Sequence, residues 1–321
     1  MAQQERQHGP NMRVNVAGVE FANPVIAASG TFGYGTEFEE IVAMNRIGGF
    51  VTKGLSIAPM AGNPAPRIIE TASGMMNAVG LQNMGVQAFV AQRLPELQRM
   101  HRKSGVQVIA NIFGSTVDEY LAVIRVLNAV EGIAMYEINA SCPNTSHGGA
   151  VFGTDCGLLG GLVHAVKAEA RRPIMVKLSP NVGNIAQFAR VAEDAGADAL
   201  SLVNTFLALA IDVETRRPRI ANGTGGLSGP AIKPIAVRMV HEVARAVRIQ
   251  VVGMGGIVTA EDAVEFLLAG ATAVQVGTAS YADPRAVERI ATGLRRWCSS
   301  HDVGRVSELT GALLPAVGRR P

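Results

Sequence analysis

Cysteine is scarce in this chain, with 3 in 321 residues, at positions 142, 156 and 298. Three thiols cannot form a disulfide framework, and they show neither the paired C-x-x-C of a zinc site nor the four-thiolate spacing of an iron–sulfur cluster. No metal ligand set is expected, and a reducing cytoplasm is the natural setting. Charge excess is also small, 29 Lys and Arg against 26 Asp and Glu, a net of +3. That argues against nucleic acid or an anionic membrane as partner. Mean hydropathy is +0.22, yet no apolar run reaches the roughly 18 to 20 residues of a membrane span. The opening MAQQERQHGPNMR is polar and is not expected to be a signal peptide. No G-x-x-x-x-G-K-[S/T] or early G-x-G-x-x-G occurs, which counts against ATP and Rossmann dinucleotide binding.

What the chain does hold is core material. Hydrophobic residues make up 48% and charged residues 17%, a balance that excludes disorder. Length alone allows two domains, although an α/β barrel uses about 250 residues as one. No composition shift, low-complexity segment or fixed-period repeat marks a boundary. One domain over residues 1–321, with a polar tail at 1–13, is expected. Short Val- and Ile-rich runs predict strands near residues 24–28, 49–53, 107–111, 135–139, 174–177, 199–204, 250–253 and 272–276. Amphipathic stretches between them predict helices at 37–44, 86–100, 117–130, 158–170, 185–195, 231–247, 260–269 and 284–297. Ser115 or Thr116, and Thr259, stand where caps belong. Near-continuous apolar strands alternating with helices indicate a parallel sheet buried on both faces. Eight of each is the count of an α/β fold closed as a (β/α)8 TIM barrel. Two long connections interrupt the alternation. Residues 54–85 carry Pro59, Pro64 and Pro66 and should add strands over the barrel top, while 205–230 is polar and Gly-rich.

Polar residues collect at the predicted C-terminal strand ends, where a barrel builds its active site. These ends read Ala28-Ser29-Gly30, Thr52-Lys53-Gly54, Asn111, Asn139, Lys177, Asn204-Thr205, Gly255-Gly256 and Gly277-Thr278. A lone Asn there is ordinarily a cap or turn residue. Lys and Asn at most strand ends together offer amide donors, amide acceptors and two ammonium groups, a set suited to a flat heterocycle. Glycine numbers 36, above the average of roughly 7%, and clusters at 225–229, 253–256 and 277. Such glycines serve tight β-to-α turns, but they also let backbone N–H groups approach an anion. The loops after strands seven and eight commonly bind phosphate in barrels. A phosphate joined to a flat ring suggests FMN, and a non-catalytic phosphate-binding barrel stays open as an alternative. Cys142, in Asn139-Ala140-Ser141-Cys142-Pro143-Asn144, lies on a polar, Gly-rich loop unlike the setting of a structural Cys, so a thiolate there could accept a carbon-bound proton. His147 reads as a rim residue, although it could also orient Cys142. Cys156 and Cys298 read as packing or surface residues.

With these motifs the chain resembles the dihydroorotate dehydrogenases, specifically the catalytic subunits of class 1 type B. The most specific stretches are Asn77-Ala78-Val79-Gly80-Leu81-Gln82-Asn83, Asn139 to Asn144 and Gly255-Gly256-Ile257. The run His147-Gly148-Gly149 to Phe152-Gly153-Thr154-Asp155 looks like type B rather than the fumarate-linked type A. The resemblance spans residues 14 to about 313 and departs at Cys156, where relatives carry Pro. It implies oxidation of dihydroorotate to orotate on FMN in pyrimidine nucleotide biosynthesis, with Cys142 as base. It implies Lys53, Asn77, Ala78, Val79, Gly80, Leu81, Asn139, Asn204 and Thr205 at the substrate. FMN would be held by Ser29, Lys53, Gly54, Asn111, Asn139, Lys177, Val203, Gly229, Gly255, Gly256, Gly277 and Thr278. It further implies a partner subunit carrying FAD and a 2Fe–2S cluster that passes electrons to NAD+. The expected assembly is a catalytic homodimer within an α2β2 heterotetramer, without nucleic acid or membrane.

Overall fold

The computed structural model describes residues 9–140 and 152–316. Eight parallel strands close into a barrel: β1 (Val25–Ala27), β2 (Gly49–Val51), β3 (Gln107–Ile112), β4 (Met135–Asn139), β5 (Ile174–Lys177), β6 (Ala199–Leu202), β7 (Gln250–Met254) and β8 (Ala273–Val276). They pair in chain order, with β8 closing on β1 through Val274 opposite Val25. Apart from Gln107 and Gln250 at the strand starts, every residue in these strands is buried. One face meets helices and the other meets the barrel interior, so the strands read as nearly continuous apolar runs rather than alternating ones. The expected (β/α)8 barrel is the observed fold.

The helices obey local chemistry. Thr116 accepts from the Glu119 amide at 3.3 Å, Asp155 from Leu158 at 2.8 Å and Asn184 from Gln187 at 3.3 Å. Thr259 and Asp262 form a reciprocal capping box, satisfying two amide donors that the helix itself leaves open. Between β7 and β8, the helix Ala260–Leu268 drives Phe266 onto the barrel. A Cβ on Gly253 would lie 2.6 Å from that ring, so the glycine lets ring and strand backbone touch.

Three expectations are corrected. The helix predicted at 37–44 is two short 3-10 turns, Thr36–Phe38 and Met44–Arg46. Gly33 and Gly35 turn the chain through positive φ, and Phe38 stacks on buried Phe32 with centroids 4.1 Å apart. That packing overrides a segment too short to be helical by itself. The helix predicted at 86–100 is two, Val86–Gln92 and Leu94–Ser104. Pro95 lacks the amide that would bond the Ala91 carbonyl, and its ring crowds that carbonyl. Residues 225–228, read as a phosphate loop, form a strand.

That strand belongs to a four-stranded antiparallel sheet across the barrel top, ordered Phe206–Ala208, Gly225–Ser228, Gly74–Asn77 and Ile68–Thr71. The added strands expected in 54–85 are therefore present, and the polar connection 205–230 supplies their partners. At the opposite end, the hairpin Val14–Val16 and Val19–Phe21 turns through Ala17 and Gly18, both at positive φ. It reaches the starts of β3 and β7 through Gln107 Nε2 donating to the Glu20 carbonyl and the Ala17 amide donating to Gln250 Oε1. Met12, in the stretch expected as a polar tail, is buried. Among the described residues no helix is long and apolar enough to cross a membrane.

Truncating Phe266 to Ala should cost about 3–5 kcal/mol, as loss of a fully buried ring does. Thr259→Ala should cost about 1 kcal/mol, through loss of the cap alone. Urea denaturation of the two variants measures the ranking, and equal midpoint shifts would contradict it.

Candidate active site

The C-terminal ends of the strands surround an open-mouthed cavity, roofed on one side by the top sheet. Of the residues proposed from sequence, Ser29, Lys53, Gly54, Asn77, Val79, Gly80 and Leu81 line it. So do Asn111, Asn139, Lys177, Val203, Asn204, Thr205, Gly255, Gly256, Gly277 and Thr278. Two do not. Ala78 is buried with Met76 and Ile220, because alternation along Gly74–Asn77 and beyond turns it to the face of the top sheet opposite the cavity. Gly229 is not among the lining residues but packs against them: a Cβ on Gly256 would lie 2.7 Å from the Gly229 carbonyl oxygen. Cys142 and His147 lie outside the described residues.

Several wall residues are held by neighbours. Asn204 donates to Asn139 Oδ1 at 3.4 Å and accepts from the Thr205 amide at 2.8 Å. The Asn139 carbonyl accepts from the Tyr120 hydroxyl at 2.9 Å. Ser29 donates to the Thr52 carbonyl at 2.8 Å, bracing the two neighbouring strand ends. Thr278 donates to the Ser228 hydroxyl at 2.8 Å, tying the end of β8 to the top sheet. Gly226 lies so near Thr205 that a Cβ there would fall 1.9 Å from its hydroxyl oxygen, so only glycine leaves Thr205 its place.

The floor was not foreseen from sequence. Glu137, in the middle of β4, is wholly buried. Its Oε2 accepts from Asn111 Nδ2 at 2.7 Å and lies 3.8 Å from Lys177 Nζ. Its Oε1 accepts from Gln275 Nε2 at 2.7 Å and from the Ser201 hydroxyl at 2.9 Å. The available signal was a polar residue inside each of three apolar strands, in Met-Tyr-Glu-Ile-Asn, Ala-Leu-Ser-Leu and Ala-Val-Gln-Val. Each alone reads as a tolerated polar residue, and only barrel closure brings them together. Gln275, Ser228, Met75 and Tyr281 are further cavity residues that the sequence reading passed over.

This arrangement fits FMN on two counts. Asn111 Oδ1 and Gln275 Oε1 are buried and have no hydrogen-bond partner, and both residues face the cavity. Such acceptors are costly unless a bound group supplies a donor, and an oxidised flavin ring has one N–H, at N3, to offer one of them. At the other end, Gly255 and Gly256 hold φ of 132° and 77°, values that favour glycine and bare the backbone toward an anion. Among the described residues no group of His, Cys, Asp and Glu could hold a metal ion. Cys156 is half-buried at the start of the helix Cys156–Glu169, and Cys298 is buried, which pushes its thiol pKa up.

Lys53 stands apart electrostatically. Burial first, and the Arg67 guanidinium second, hold its ammonium below the ordinary lysine range, while Glu37 partly opposes them. The fold thus disfavours the charged form, a penalty present at neutral pH and relieved as pH rises above the lysine's own range. Lys53→Met should accordingly raise the thermal midpoint of ligand-free protein at pH 7, with the gain shrinking toward alkaline pH. Differential scanning calorimetry at pH 7 and 10 measures this, and a lowered midpoint at pH 7 contradicts it.

Comparison with known proteins supplies the family. A family profile described as dihydroorotate dehydrogenase matches residues 11–297. A Solibacter usitatus protein, provisionally named dihydroorotate dehydrogenase A (fumarate), is 56% identical over 95% of this chain and 99% of its own length. Relatives from Pelobacter propionicus and Geobacter sulfurreducens are named dihydroorotate dehydrogenase B (NAD(+)), catalytic subunit. They are 54% and 53% identical over 95% of this chain and 99% and 98% of their own. The chain belongs to the dihydroorotate dehydrogenase family.

Proposed function

We propose that this chain is the FMN-bearing catalytic subunit of a type B dihydroorotate dehydrogenase, oxidising dihydroorotate to orotate for pyrimidine nucleotide synthesis in the cytoplasm. The observation that carries the reading is one cavity, at the C-terminal rim, into which Lys53, Lys177, Asn77, Asn111, Asn139 and Asn204 all converge. FMN would lie against Ser29, Gly54, Asn111, Lys177 and Val203, with its phosphate at Gly255, Gly256, Gly277 and Thr278. When bound, it supplies a two-electron acceptor for the hydride from substrate C6.

The chain's own residues supply the rest. Cys142 takes the C5 proton as thiolate, so that loss of one proton and one hydride creates the C5–C6 double bond. Asn77, Asn139, Asn204 and Thr205 orient the substrate through its amide edges and carboxylate. Lys53, whose ammonium sits in the cavity wall, balances the charge that develops as C5–H breaks. Asn77, at the end of its top-sheet strand, and Val79 to Leu81 just after it cover the substrate from above and limit water.

The two electrons leave through a partner subunit carrying FAD and a 2Fe–2S cluster, which reduces NAD+. Balanced overall, dihydroorotate and NAD+ give orotate, NADH and a proton. Two such chains form the core of an α2β2 assembly. The Pelobacter propionicus and Geobacter sulfurreducens relatives carry the NAD+ name, which supports this acceptor, while the Solibacter usitatus relative carries the fumarate name.

Cys142→Ala should retain yellow FMN but slow anaerobic flavin reduction by dihydroorotate about 100-fold or more, the usual share of a positioned base. Unchanged stopped-flow kinetics would remove Cys142 from the mechanism. A colourless wild-type protein would favour the phosphate-binding barrel instead. NAD+ reduction should need a copurifying subunit that contains iron and FAD. NADH production by the chain alone would overturn the partner, and fumarate reduction by the chain alone would transfer the acceptor to the type A reading.

A further inference from the structure

We propose that Glu137 is a positioning residue that sets the hydrogen-bonding polarity and charge of the flavin-facing floor. The inference rests on the FMN reading above and goes beyond it, because Glu137 itself does not line the cavity.

A carboxylate accepts and never donates. The two Glu137 oxygens are met by the amide nitrogens of Asn111 and Gln275 at 2.7 Å each. Reversing either amide would aim a carbonyl oxygen at a buried carboxylate, which is repulsive at that distance. Both side chains are thereby locked with nitrogen inward, and their oxygens are the ends left over. Those are the two orphaned acceptors, Asn111 Oδ1 and Gln275 Oε1, on residues that face the cavity. A buried acceptor without a donor costs about 1–3 kcal/mol. The floor therefore stores a demand for ligand N–H groups, and Glu137 is what creates it.

The same carboxylate sets the charge. Lys177 is only 8% exposed at its side chain, and Glu137 lies 3.8 Å from its ammonium. Barrel register supports the cluster: Asn111 pairs with Glu137 across β3 and β4, and Ser201 with Lys177 across β5 and β6. Ser201, which does not line the cavity, spends its hydroxyl on Glu137 Oε1. Side chains from four other strands, β3, β5, β6 and β8, thus converge on one anion, which balances Lys177 and tempers the positive potential that the flavin meets.

Glu137→Gln keeps the shape while removing the charge and the acceptor-only constraint. A glutamine at 137 can donate as well as accept, so Asn111 and Gln275 are freed to reverse. Oxidised FMN should then bind at least ten-fold more weakly to apoprotein, read by quenching of flavin fluorescence. Removing a negative charge beside a flavin that becomes anionic on reduction should favour the reduced form. Its affinity relative to the oxidised form should rise about ten-fold, equivalent to a midpoint some 30 mV more positive for a two-electron couple. A merely structural glutamate would leave that midpoint in place.

FMN affinity within two-fold of wild type, together with an unchanged midpoint, overturns the proposal. If Glu137→Gln does not fold, Ser201→Ala decides. It keeps the glutamate, removes one of its donors from outside the cavity, and should weaken FMN binding about three-fold with a smaller midpoint change. No change in either quantity for that variant also overturns the proposal. Wild-type protein that binds no FMN would instead bring down the flavin reading and this inference with it, so the two failures are distinguishable.

Discussion

Closure of a parallel sheet imposes the constraint from which the rest follows. When eight strands run the same way around a barrel, all their C-terminal ends meet on one rim, and the chain there must leave the sheet for a helix. Side chains far apart in sequence, such as Lys53, Asn111, Lys177 and Thr278, are then forced around one opening. Neither face of such a sheet sees water, so the strand interiors are apolar, and any polar residue within them needs a partner inside the barrel. Glu137 finds its donors in Ser201 and Gln275 under that pressure.

The cavity combines fixed and unsatisfied groups. Ser29, Thr278 and Asn204 are tied to neighbouring strands or to the top sheet, which holds the walls in position before any ligand arrives. Asn111 and Gln275 are held at one end and left wanting at the other. Such a floor costs stability in the empty protein and returns it on binding, the usual relation between a preorganised site and the fold that carries it. Lys53 follows the same logic, since its burial disfavours the charge that an anionic substrate would use.

The top sheet links barrel and site. Its strands come from two connections more than a hundred residues apart, joined through Gly226 opposite Asn77 and Ser228 opposite Met75. Small residues matter at this junction. A Cβ on Gly74 would lie 2.1 Å from the Ser228 carbonyl oxygen, so the strands meet only because that position is bare. The result is a cover, with Asn77 and Val79 to Leu81 facing the cavity, that is anchored on both sides.

Much of this was legible in the sequence because it depends on local pattern. Parallel strands buried on both faces read as apolar runs, helix starts carry their caps, and Lys and Asn at successive strand ends mark a rim. Errors arose where a distant contact outweighed that pattern, as when Phe32 drew Phe38 out of a helix. They also arose where one residue type serves two purposes, as in the Gly-rich 225–228, whose strand partner Gly74–Asn77 lies far away in the chain. By itself the sequence determined the eight barrel strands, their order, most of the helices between them and most of the residues around the rim. Tertiary structure alone decided that Ala78 turns away and that Glu137 gathers four side chains from other strands. Those outcomes depend on which strands become neighbours and in what register, and no spacing along a single strand encodes that.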